Sequence, residues 1–179
     1  MIIDLTKTIE DGMPVYPGDP KVSLTPIAEV EKDGYENHLL MTSMHSGTHI
    51  DGPKHFIQNQ PYIDTFPLDT FIGKARLIDD IQPYHYEGES ILFIRSNGYL
   101  SVSFVQSLLN HPIRVIVLEG TSPDEAPYPI HQSLLGAGVF IVENATNFDQ
   151  LPFNQTFKAY IIPLKIHADS SPCRVFVEI

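Results

Sequence analysis

The segment His45-Ser-Gly-Thr-His49-Ile-Asp51-Gly-Pro-Lys-His55-Phe56 brings three imidazoles and one carboxylate within eleven positions. Borderline nitrogen donors beside a hard anionic oxygen suit zinc, manganese or iron(II). Gly47, Gly52 and Pro53 break any continuous helix here, so the donors do not share one helical face; a tight turn after a strand can still aim them at one centre. A single histidine is ordinarily a surface or core residue, but three with an aspartate between turn glycines favour a metal centre. Downstream, His131 follows Tyr128-Pro-Ile, and Glu143 closes the apolar run Val139 to Val142. A strand's period of two puts Glu143 on the face of Val139 and Ile141, opposite Phe140 and Val142. A carboxylate ending an apolar row finds either water or a cation.

The chain that must position these groups has 179 residues, one domain's worth (1–179), and is long enough to bury a core without disulfides. With 42% hydrophobic and 18% charged residues it is neither a disordered chain nor a coiled coil. The formal charge of -11 disfavours nucleic acid and anionic lipid surfaces as partners. Cys173, the one cysteine, cannot form an intramolecular disulfide, and its reactivity as a nucleophile has no local support. The acidic start (Asp4, Glu10, Asp11) is unlike a signal peptide, and the longest apolar stretch, Leu134 to Val142, is too short to span a bilayer; a cytoplasmic protein is expected.

Short β-branched or apolar runs predict strands near Ile2–Leu5, Val22–Val30, His38–Met44, Gly73–Ile78, Ile91–Ile94, Ile113–Leu118, Val139–Val142, Tyr160–Ile166 and Arg174–Ile179. Ser101 is a plausible N-cap for a helix to about residue 110 with Val102, Val105, Leu108 and Leu109 on one face; a second, short helix is expected near Ser133–Gly136. The pattern predicts an α/β domain: a mixed, mostly β sheet curled toward a barrel, with a few helices outside.

The order His45-x-Gly-Thr-His49-x-Asp51-x-Pro-x-His55 resembles the signature of the cyclase family of metal-dependent hydrolases, which includes bacterial kynurenine formamidases and isatin hydrolases. Met13-Pro-Val-Tyr-Pro-Gly-Asp19, Gly120-Thr-Ser-Pro-Asp124, Pro129-Ile-His131 with Ile141-Val-Glu143-Asn144, and the closing Pro163-Leu-Lys-Ile and Ser171-Pro-Cys-Arg174 resemble further family segments, so the likeness covers nearly the whole chain. It implies a swivelling cyclase-like fold. His45, His49, Asp51, His131 and Glu143 would hold one or two divalent ions, zinc or manganese, with Asp51 able to bridge them, and His55 would be the general acid/base. His55 could equally serve as a further ligand. Tyr16, Phe56 and Tyr128 would bind substrate, and the likeness implies a homodimer or homotetramer.

A divalent ion lowers the pKa of bound water toward ~7, making hydroxide available to attack an amide carbonyl, and an uncoordinated imidazole suits the accompanying proton transfer. The expected activity is hydrolysis of a small amide, such as the aryl formamide N-formylkynurenine. The alternatives are a lactam or cyclic-amide hydrolase at the same site, or a non-catalytic metal- or ligand-binding relative. The chain departs from many relatives in having Tyr16 in place of Trp, a segment from Thr121 to His131 that looks shorter, and Ala168-Asp169-Ser170 where Gly-Asp-Gly is usual. Tyr35, Tyr62 and Phe66 are further candidates for an aromatic pocket. His38, His85 and His111 read as structural or surface residues, His167 remains open, Ser46 and Thr48 read as turn residues, and Ser122 with Asp124 reads as a cap or a substrate-loop pair.

Overall fold

In a computed structural model that describes residues 1–80, 84–120 and 122–179, ten strands and three α-helices follow in chain order. They are β1 (Ile2–Asp4), β2 (Ser23–Ala28), α1 (Val30–Asp33), β3 (Asn37–Met41), β4 (His49–Asp51), β5 (Ile72–Asp79), β6 (Ile91–Arg95), α2 (Val102–Leu108), β7 (Val115–Leu118), α3 (Pro129–Gly136), β8 (Phe140–Glu143), β9 (Thr156–Pro163) and β10 (Ser170–Glu178). The sheet runs β10-β4-β8-β7-β6-β5-β9 and closes where β9 pairs with β10, giving a seven-stranded barrel with β1 attached along β10. β5 to β8 pair in parallel and the other barrel pairs are antiparallel, as expected for a mixed sheet curled on itself.

The parallel strands read as continuous apolar runs because both of their faces are covered. Ile91, Phe93, Val115, Val117, Phe140 and Val142 join the cluster inside the barrel. The alternate residues Leu92, Ile94, Ile116, Leu118 and Ile141 pack outside it with Phe104, Leu108 and Leu134 from α2 and α3. Period two therefore carries Glu143 to the outer face, as the sequence pattern indicates. Cys173 lies in the inner cluster, where burial pushes its thiol pKa up.

Ser101 caps α2 by accepting the Phe104 amide at 3.2 Å. The buried face is Phe104, Val105 and Leu108, whereas Val102 is exposed; the face is rotated from the expected one because Phe104, the largest side chain available, goes into the core. β4 replaces the expected turn: three residues, zipped between β8 and β10 through the registers His49↔Glu143 and Ser170↔Asp51, are too few to show a sequence period. β9 and β10 each begin about four residues earlier than expected, because barrel closure pairs Lys158 and Ala159 with Glu178 and Val177, and extends β10 to meet β4 at Ser170. β2 and β3 form a separate two-stranded sheet that exposes Ile27, Leu39, Leu40 and Met41. Among the described residues, no helix is long and apolar enough to cross a membrane.

Candidate metal centre

His49 and Asp51, two apart on β4, face outward together while Ile50 goes into the barrel core. The β4–β8 register sets His49 directly across from Glu143, and α3 lays His131 over the same patch of outer sheet. His45 enters from the turn ahead of β4, and His55 from a 3-10 turn over Pro53–His55 that Pro53 initiates. All six sequence-derived groups line one cavity of about 650 Å³.

The donors form two sets that share Asp51. His45, Asp51 and His55 make one, and His49, Asp51 and Glu143 the other, with the ligand atoms of each set within 4.8 Å of one another. His131 joins the second, its Nε2 lying 3.3 Å from Glu143 Oε1 and 3.8 Å from Asp51 Oδ2. Asp51 Oδ1 is buried and has no hydrogen-bond partner among the described residues, although His45 Nδ1 is 3.0 Å away and His49 Nε2 is 3.6 Å away. A buried carboxylate oxygen with imidazole nitrogens 3.0 and 3.6 Å away and no hydrogen bond from either suits a cation. The residues thus fit a divalent ion by donor chemistry and by this orphaned atom, with Asp51 placed to serve two centres.

Each of the four imidazoles has one ring nitrogen fixed by an oxygen acceptor. His49 Nδ1 donates to the Gly47 carbonyl at 2.9 Å, leaving Nε2 to face Asp51 and Glu143. His131 Nδ1 is held by Asp124 Oδ1, leaving Nε2 toward Glu143 and Asp51. Asp169 Oδ2 takes His45 Nε2 at 3.2 Å and His55 Nδ1 at 3.0 Å. Such outer partners fix the tautomer and ring orientation of metal-binding histidines.

Burial by itself would lower the His45 pKa, but its contacts with Asp169 and Asp51 win and raise it to about 10. Burial would raise the Asp51 pKa, yet the neighbouring imidazoles of His45, His49 and His55 hold it down to about 2. Glu143 is pushed up, chiefly by burial and further by the Asp51 charge, against the opposing pull of His131 and His49. His131 is raised: burial opposes the shift, and the hydrogen bonds to Glu143 and Asp124 outweigh it. The hydrogen bonds from His45 and His55 take Asp169 well below the usual carboxylate range, against a smaller effect of burial.

Tyr16, Phe56 and Tyr128 line the cavity as the sequence suggests. The Tyr16 and Tyr128 hydroxyls meet at 3.1 Å, and Phe56 stacks on His131 at 4.9 Å between ring centroids. Tyr35, Tyr62 and Phe66 are not gathered there: Tyr35 is exposed on the β2–β3 side, Tyr62 packs on His167, and Phe66 packs against the barrel core. His38 and His111 pair with Glu36 and Tyr86, away from the donors. His167, the open case, is exposed and sits on Asp64 and Tyr62. Thr48 locks the approach to β4, accepting from the Lys7 amide and donating to the Asn144 carbonyl, and Ser46 meets Ser43. Ser122 lines the cavity and donates to the Asp124 carbonyl. Thr121, where the shortened segment begins, lies outside the described residues.

The sequence marks Asp124 as a cap or a substrate-loop residue and assigns Asp169 no role. Asp124 caps α3, accepting from the Ile130 and His131 amides, while also holding His131 Nδ1. Asp169 had appeared only as part of the altered Ala-Asp-Ser segment, although an acid just ahead of the closing strand was the available signal.

This arrangement of imidazoles and carboxylates around one buried, unpaired carboxylate oxygen is that of a metal-dependent hydrolase. Residues 3–96 match the Cyclase family, described as "Putative cyclase", and the chain belongs to that family. The matched stretch carries His45, His49, Asp51 and His55; His131 and Glu143 lie beyond it. The chain is 26% identical over 203 residues to a kynurenine formamidase of Salinibacter ruber, covering 97% of this chain and 95% of the relative. It is 27% identical over 198 residues to a kynurenine formamidase of Geobacillus thermodenitrificans, covering 96% and 94%. Isatin hydrolase A from Labrenzia aggregata, solved with benzyl benzoate, shares the fold with a TM-score of 0.82 at 24% identity, covering 99% of this chain and 93% of that one.

Proposed function

We propose that the protein hydrolyses a small amide, with an aryl formamide such as N-formylkynurenine as substrate, using one or two zinc or manganese ions. The observation that carries this reading is the pair of donor sets sharing Asp51, with its unpartnered buried Oδ1, in a cavity that also holds an imidazole poised for proton transfer. Full-length likeness to kynurenine formamidases supports the formamide. His45, His49, Asp51, His131 and Glu143 would hold the ions. When bound, a divalent ion lowers the pKa of water toward ~7 and polarises a carbonyl oxygen.

His55 takes the proton of the attacking water and returns it to the departing nitrogen as the carbon–nitrogen bond breaks, giving formate and the free amine. Tyr16, Phe56 and Tyr128 supply an aromatic wall for the ring. A homo-oligomer belongs to the same reading, supported by the apolar side chains exposed on β2 and β3.

The test is hydrolysis of N-formylkynurenine by protein reloaded separately with zinc and manganese, against chelated protein, Asp51→Asn and His55→Ala. Turnover dependent on metal, abolished in Asp51→Asn together with metal content, is the expected result. His55→Ala should lose turnover and keep its metal; loss of metal as well would make His55 a ligand. Full metal occupancy without formamide turnover would move the substrate to a lactam or another small carbonyl compound, and tight ligand binding without any turnover would make the protein a binding module.

A further inference from the structure

Asp169 occupies the end of the loop from β9 to β10 and is fixed there from several sides. Its carbonyl accepts the Gly52 amide at 3.1 Å, the adjacent Ala168 carbonyl accepts the Ile63 amide at 2.9 Å, and Ser170 Oγ donates to Asp169 Oδ2 at 3.1 Å. That one oxygen also faces His45 Nε2 and His55 Nδ1, whose rings lie 4.1 Å apart between centroids. A carboxylate can only accept, so each of these nitrogens carries a proton when its ring is hydrogen-bonded to it. The remaining nitrogens are then His45 Nδ1, 3.0 Å from Asp51 Oδ1, and His55 Nε2, which has no hydrogen-bond partner among the described residues. As neutral rings, the two neighbouring imidazoles are thereby given opposite tautomers.

We infer that Asp169 is a positioning residue that sets both tautomers, presenting the lone pair of His45 Nδ1 to the metal and that of His55 Nε2 to the proton of the attacking water. The inference rests on the hydrolase reading for its purpose, and the His45 tautomer is defined once a bound ion has displaced the Nδ1 proton. Two chemically distinct tasks, ligation and proton transfer, are coupled through a single oxygen atom. An acceptor outside a metal shell typically affects metal affinity or activity by ~10–100-fold. Asp169 is expected to act on both.

The test uses the full zinc-loaded chain, labelled with nitrogen-15, in two-bond proton–nitrogen spectra of the histidine rings. The expected spectrum shows His55 protonated at Nδ1 and His45 at Nε2. In Asp169→Ala the His55 ring should exchange between tautomers, zinc affinity should fall about 10–100-fold, and kcat should drop while KM changes little. Asp169→Asn, which keeps one acceptor oxygen, should recover part of each effect. A His55 ring protonated at Nε2 in the wild type overturns the inference, as does Asp169→Ala with unaltered tautomers and zinc affinity. Should Asp169→Ala fail to fold, the wild-type spectrum decides alone. The expected tautomers in a protein that cleaves no formamide would uphold this inference while removing the substrate assignment.

Discussion

Asp124 holds His131 twice, its Oδ1 on the ring Nδ1 and its Oδ2 on the backbone amide, so the helix start and the orientation of an imidazole facing the donor cluster depend on one side chain. Tyr128, at φ 61°, delivers the chain to Pro129 without a side-chain cap of its own, so Asp124 supplies the acceptor from outside the helix. Helix initiation and ligand geometry are coupled here, which predicts a double effect of one substitution.

Asp124→Ala should lower zinc affinity by about 10–100-fold, the usual consequence of losing the acceptor behind a ligating histidine. It should also remove about 1 kcal/mol of stability through the lost cap. Zinc titration and thermal melts of the metal-free protein measure the two separately, and a change in melting alone would mean that the His131 contact has no part in the metal site.

Metal uptake should release protons. His45 is held up to about 10 in the metal-free protein, so below that pH an incoming cation must displace its proton, and zinc affinity should rise as pH increases toward 10. The sign for folding is the reverse. The raised pKa favours the folded state fully below the unfolded value near 6.5, and that contribution disappears as pH climbs through about 10. Calorimetric zinc titrations in buffers of different ionisation enthalpy count the protons, and melts of the metal-free protein across the same range follow the stability. Zinc binding independent of pH between 6 and 9 would contradict the assignment of His45 as a ligand.

Gly52 leaves no room for a side chain, because a Cβ there would stand 2.6 Å from the Asp169 carbonyl oxygen. Gly52→Ala should push the β9–β10 loop away from β4, costing about 1–3 kcal/mol as an overpacking change. Asp169 would also move off His45 and His55. Melting temperature and the histidine-ring spectra should change together in this variant, although no polar group has been removed.

Cys173 should resist thiol reagents in the native protein and react fully after denaturation. It is enclosed in the barrel, and burial keeps its thiol protonated at ordinary pH. Rapid native labelling would mean that the barrel opens far more readily than its packing implies.

How much of this was legible in the sequence depended on whether a signal was local. Glu143 was placed on its correct face by alternation along Val139 to Val142, and the Ser101 cap was visible because it stands one position before the helix. A sheet curled toward a barrel was expected, but which strands close it was not visible, since the pairing of β10 with β9 on one side and β4 on the other is a long-range choice made by burial. β4 hid between two glycines for the same reason. Asp169 and His45 are 124 positions apart, and an acid just ahead of the closing strand does not by itself name a partner at that distance. The aromatic wall was half legible: Tyr16, Phe56 and Tyr128 converge, while Phe66 went where most phenylalanines go.

Placing the donors on the outer face of the β4–β8 pair divides labour within the chain. His49, Asp51 and Glu143 belong to strands whose alternate residues build the core, so changing their spacing would unmake the barrel. Tyr16, Phe56 and Tyr128 come from a leading segment, the end of a 3-10 turn and the approach to α3, none of which is a barrel strand. If these three side chains bind the substrate as proposed, substrate preference can drift by replacing them while the donor cluster stays under the constraint of folding. On that reading the chemistry is inherited with the barrel, and the choice of what it acts on is left to segments that evolution can revise separately.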